Sequence, residues 1–136
     1  MRLYYLKEIS LILDELKIKH AIFDGALLGF IREKDLIEWD WDAEISIKYN
    51  DFKNYKLKII EQMEKASIGK VTLNNSYSNP KINIILNNNY KYTIQAFHYT
   101  KDNEYIYRKL YKYPARFLNE IENITIKQYE FPIPKN

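Results

Sequence analysis

The sequence predicts an α+β fold, a mixed β-sheet flanked by helices, from three observations. Leu6, Ile9, Leu13 and Leu16 recur at three- and four-residue spacing, the period of one helix face. Residues 42–49 alternate strictly: Asp42, Glu44, Ser46 and Lys48 take one face, Ala43, Ile45, Ile47 and Tyr49 the other. That is the period of a half-buried strand. Three more strand candidates, "KVTLN", "KINIIL" and "KYTIQAFHYT", follow with Asn-rich turns between them. Helices beside a mostly antiparallel or mixed sheet satisfy all three.

In chain order, residues 2–18 make an amphipathic helix, and "HAIFDG" is a short apolar strand running into an Asp-Gly turn. "ALLGFIREK" makes a short helix after Gly25, and the acidic strand 42–49 follows. "NDFKNYKLKIIEQMEKA" carries an Asn or Asp cap and a helical period. After the three strand candidates, the Tyr-rich run "EYIYRKLYKYP" leads to "ITIKQYEFPIP", read as a closing hairpin. No repeat and no linker divides the chain, so residues 1–136 are read as one domain.

Composition narrows the function classes. A hydrophobic fraction of 46% with 29% charged residues suits a globular chain and not a disordered one. A net charge of +3 is compatible with an anionic ligand but too small to argue for DNA or RNA. No window approaches the ~18 apolar residues of a membrane span. Charges at helical spacing interrupt the N-terminus, so it is not read as a secretory segment. Without cysteine there is neither a disulfide framework nor a thiolate metal site. These features imply a cytoplasmic protein, compatible with a peripheral position at a membrane.

The chemistry concentrates in "DGALLGFIREKDLIEWDWDAEISI", which holds two of the three glycines and both tryptophans. Asp42 and Glu44 leave the same strand face with Cα atoms roughly 6.5 Å apart, and Asp40 extends that face if the strand begins early. Carboxylates so placed can share hard cations such as Mg²⁺, and two such ions about 3.5–4 Å apart stabilise in-line displacement at phosphorus. The plainer reading is a solvated face of an amphipathic strand. Gly25 and Gly29 favour the first, because a glycine between strand and helix lets backbone approach a phosphate at the helix N-terminus. Arg32, about two turns further on, can reach an anionic oxygen bidentately. His20 and His98 lack metal-site spacing. The tyrosines of "YIYRKLYKY" are read as core and rim packing before an acceptor or RNA surface.

This stretch resembles the LicD/fukutin family of the nucleotidyltransferase superfamily, whose pattern runs D-G-T-L-L-G-x-x-R, a spacer, then I-P-W-D-x-D-h-D-h. Asp24, Gly25, Leu27, Leu28, Gly29, Arg32, Ile37, Trp39, Asp40, Asp42 and Ile45 match it, with Glu44 replacing the last Asp. The resemblance implies a nucleotidyltransferase-like sheet and a metal pair, Asp42 and Glu44, holding Mg²⁺ or Mn²⁺. It places Gly25 and Ala26 in a phosphate-facing turn. Arg32 would contact phosphate or fix the acidic strand, and Trp39 would pack beneath the site. It further implies a phosphotransferase moving a phospho-alcohol, such as phosphocholine or ribitol phosphate, from a CDP-activated donor to a glycan hydroxyl. Two departures qualify this: Ala26 stands where the family has Thr or Ser, and "TIQAF" puts Gln95 where a third carboxylate is expected. Asp102 or Glu104 are candidates to compensate. A binding-only member and a nucleotidyltransferase using an NTP therefore stay open beside the phosphotransferase.

Overall fold

The computed structural model describes residues 2–37, 42–87 and 89–135. Trp39 and Asp40 lie outside the described residues.

Helix α1 (Arg2–Glu15) ends three residues earlier than its apolar period suggests. A Schellman turn stops it: Ile18 N–H donates to Leu13 O and Lys17 N–H to Asp14 O, both at 2.9 Å, with Lys17 at φ 60°. The chain then enters β1 (His20–Phe23), α2 (Asp24–Arg32), β2 (Asp42–Lys48) and α3 (Tyr49–Lys65). Strands β3 (Lys70–Asn74), β4 (Lys81–Ile85) and β5 (Lys91–Tyr99) follow, then the hairpin β6 (Tyr105–Arg108) and β7 (Tyr111–Pro114). A short helix, α4 (Arg116–Asn119), and the hairpin β8 (Ile121–Ile126) with β9 (Tyr129–Pro134) complete the described elements. The sequence pattern did not indicate α4.

The main sheet runs β1-β2-β5-β4-β3, and β6 and β7 extend it from β5. Among the described residues only the β2–β5 pair is parallel, with Glu44 beside Thr93 and Ser46 beside Gln95. The alternation of β2 sorts its side chains to two environments. Ala43, Ile45 and Ile47 join Ile94 and Ile84 in the main core, with Leu6 and Leu13 of α1 and Ile59 of α3. On the reverse face a smaller cluster of Ala21, Phe23, Phe97, Ile106 and Leu118 covers part of the sheet. Beside this cluster the reverse face carries polar residues of β2 and β5, among them Glu44, Ser46, Thr93 and Gln95.

Candidate active site

Strand β2 carries Asp42 and Glu44 out on the reverse face, and β5 sets Thr93 and Gln95 beside Glu44 and Ser46. β4 adds Lys81 opposite Gln95. The β6–β7 hairpin leans over this face through a two-residue turn, Lys109-Leu110. Lys109 takes φ 51°, the conformation demanded at the first central position of a type II′ turn and usually given to glycine. The tip is tied down by Lys109 N–H donating to Ser78 O at 2.9 Å.

These elements enclose a cavity of about 410 Å³. Its acids are Asp24 and Glu44, and its cations are Lys81, Lys91, Arg108 and Lys109. Thr93, Gln95 and Tyr111 complete the lining. Lys91 also approaches Asp42, Nζ to Oδ1, at 3.9 Å. The cations repel one another: burial lowers the Lys81 pKa first, and Lys91, Lys109 and Arg108 lower it further. Burial likewise pulls the Arg108 guanidinium below its ordinary value, against the pull of Asp24, Tyr111 and Glu44. The lining thus carries four cationic side chains and two carboxylates.

Gln95 is only 2% exposed. Its Nε2 donates to Asp24 Oδ2 at 3.1 Å and to Ser46 Oγ at 3.0 Å. The residue paired with it across β2 is Ser46, one step beyond Glu44 on that face, and Ser46 is fully buried. The far half of the acidic face is thus covered, not solvated.

Asp24 is the residue that sequence reasoning left off the site. Its φ of 57° makes it the left-handed residue of the β1–α2 turn, while no glycine has a positive φ among the described residues. Aspartate tolerates this conformation better than most residues, because its short polar side chain can hydrogen-bond locally. The signal in the sequence was the Asp-Gly pair itself, read as a turn for Gly25. Lys81, Arg108, Lys109 and Tyr111 were also missed, since strand order alone brings them together.

The other expected residues are placed as follows. Gly25 is half-buried in the first turn of α2, and the methyl of Ala26 lies in the main core, leaving only its backbone to face a ligand. Gly29 is needed for packing and not for phosphate: a Cβ there would sit 2.5 Å from Asp35 O and 3.1 Å from Ile37 N. Arg32 is exposed at the far end of α2, about 12 Å along the axis from Asp24. It is not part of the cavity lining. Asp102 and Glu104 are not in the cavity lining, and Asp102 caps its own exposed loop, accepting from Thr100 Oγ1 at 2.6 Å and Glu104 N–H at 3.0 Å. His98 is packed between Tyr49 and Tyr77, with ring centroids 4.0 and 3.9 Å away.

Asp42 and Glu44 leave the same face of β2, but of the two only Glu44 lines the cavity. No group of three or more His, Cys, Asp or Glu suited to a metal occurs among the described residues. A pair of carboxylates would suit a Mg²⁺ ion only with water and substrate oxygens completing its shell.

The structure is similar to the crystal structure of the lincosamide antibiotic adenylyltransferase LnuA with lincomycin bound, at a TM-score of 0.62 and 14% identity. The match covers 97% of this chain and 79% of that one. No curated protein matches significantly. No helix among the described residues is long and apolar enough to cross a membrane. Residues 17–136 match the family model described as LicD/FKTN/FKRP, nucleotidyltransferase domain. The chain therefore belongs to the LicD family, and its α+β fold is that of the nucleotidyltransferases.

Proposed function

We propose that the protein is a phosphotransferase that moves a phospho-alcohol from a CDP-activated donor to a glycan hydroxyl. The observation that carries this reading is one cavity lined by Glu44 of the acidic strand, Asp24 and four cationic side chains. The acceptor oxygen forms a bond to the phosphorus bearing the alcohol, and the bond from that phosphorus to the CMP oxygen breaks. Catalysis of this kind is mostly positioning and neutralisation of phosphate charge. Asp42 and Glu44 would hold a Mg²⁺ or Mn²⁺ ion, which when bound contributes part of that neutralisation. Gln95 cannot accept a proton. Asp24, 3.1 Å from its amide, is the carboxylate available to take the acceptor's proton in its place.

A second reading is nucleotidyl transfer from an NTP, favoured by the likeness in fold to an adenylyltransferase. Incubation with CDP-choline, CDP-ribitol or an NTP, with Mg²⁺ and glycan acceptors, separates the two. CMP release that falls ~10²-fold or more in Glu44→Gln supports the first reading. Pyrophosphate release establishes the second. Nucleotide binding with neither product identifies a binding-only member.

A further inference from the structure

We propose that Arg108 anchors a diphosphate group in this cavity and that the surrounding lysines let it bind without a divalent ion. The inference rests on reading the cavity as a nucleotide-phosphate site.

Arg108 is 8% exposed, and its Nε is the one buried side-chain polar atom among the described residues with no hydrogen-bond partner. Its Nη2 is used, donating to Asn79 Oδ1 at 2.8 Å. The guanidinium carbon lies 5.9 Å from the Phe97 ring centroid and 5.8 Å from that of Tyr111, so the group is held in place by aromatic faces. A buried donor without an acceptor is costly, and a guanidinium offers its donors as a planar fork suited to phosphate oxygens.

The neighbours determine which anion fits. Lys81, Lys91 and Lys109 approach from β4, β5 and the hairpin tip, so four cations stand against two lining carboxylates and Asp42 beside Lys91. Cations contributed by β4, β5 and the β6–β7 hairpin carry more charge than one carboxylate neutralises, and a diphosphate supplies more charge and more acceptor oxygens than a single phosphate. The repulsion that lowers the Lys81 pKa is relieved by the same anion. Where a third carboxylate would strengthen metal binding, this chain has Gln95, and fixed cations supply the missing charge neutralisation.

The test titrates inorganic pyrophosphate and CDP into the protein in EDTA, by calorimetry and by following the arginine Nε–H signals in ¹⁵N NMR. Both ligands are expected to bind and to move the Arg108 Nε–H resonance. Arg108→Gln should weaken binding ~10-fold or more, and Arg108→Lys, which keeps charge but loses the fork, by less. Lys58→Gln, an exposed charge change on α3, should leave affinity unaltered. An absolute need for Mg²⁺, or an Nε–H signal unmoved at saturation, overturns the proposal. The NMR result on the unsubstituted protein decides even if Arg108→Gln does not fold. Diphosphate binding through Arg108 with no transfer from any donor would sink the transferase reading alone. CMP release with a silent Arg108 would sink this inference alone.

Discussion

Gln95 has its amide nitrogen committed to two oxygens, Asp24 Oδ2 and Ser46 Oγ, inside a nearly closed setting. A carboxylate of the same shape reverses that arrangement, since it cannot donate and would face Asp24 as a like charge. Gln95→Glu is therefore expected to destabilise the protein by roughly 1–3 kcal/mol at neutral pH. Burial and Asp24 would raise the new carboxyl's pKa above its unfolded value near 4.3. A raised acid is stabilising below the unfolded pKa, and that contribution is lost as pH rises through the folded one. The variant should thus come closest to the parent near pH 4–5 and fall furthest behind above pH 7. Urea unfolding at both ends of this range measures it; a deficit independent of pH would mean the new carboxylate escapes to solvent.

At the scale of elements, two joints position the site. The first is α2 against the segment that follows it. Replacing Gly29 by alanine gains up to ~1 kcal/mol of helix propensity, but the added Cβ meets backbone atoms of Asp35 and Ile37 and not a side-chain end that can swing away. Overpacking of that kind costs about 1–3 kcal/mol, so Gly29→Ala should lower Tm, and an unchanged or higher Tm would show that the segment yields. The second joint is α1 against β1. His20 Nδ1–H donates to Ile18 O at 2.9 Å, leaving Nε2 to accept from the fully buried Ser10 hydroxyl at 2.6 Å. That network holds a neutral imidazole. Burial lowers its pKa below 6.5, with the Ile18 carbonyl and Asp14 opposing. Below pH 6.5 the unfolded chain binds the proton more readily, so stability is full above that value. It declines as pH falls toward the folded pKa, by up to about 1.4 kcal/mol per pH unit. Tm scans at pH 7.5 and 5.5 should show this loss in the parent and a smaller one in His20→Gln, whose overall stability is lower at both.

At the scale of the molecule, what could be read in advance was what repeats locally. The helical period of α1 and α3 and the alternation of β2 are local properties, and they also placed Asp42 and Glu44 on one face. α4 has four residues, too few for a period, and its Leu118 is positioned by the Phe23 and Phe97 cluster. Arg108, Lys81 and Lys109 meet only because β4, β5 and β6 are neighbours, an order that no spacing in the chain encodes. The C-terminal hairpin is the same kind of long-range fact. Among the described residues β8 and β9 pair only with each other, and isolated two-stranded hairpins are marginal. Yet Ile126, Phe131 and Ile133 belong to the main core, and the Phe131 ring lies 5.0 Å from that of Phe30 on α2. The hairpin should therefore unfold with the domain and not ahead of it. Phe131→Ala is expected to cost about 3–5 kcal/mol, a large share of the roughly 5–15 kcal/mol typical of a domain. Because the loss belongs to the whole cooperative unit, the urea midpoint should fall while the m-value stays constant. Pyrophosphate affinity at low temperature should be unchanged, since Phe131 is absent from the cavity lining. A reduced m-value with an unmoved midpoint would instead make β8–β9 an appendage, and the core would end before it.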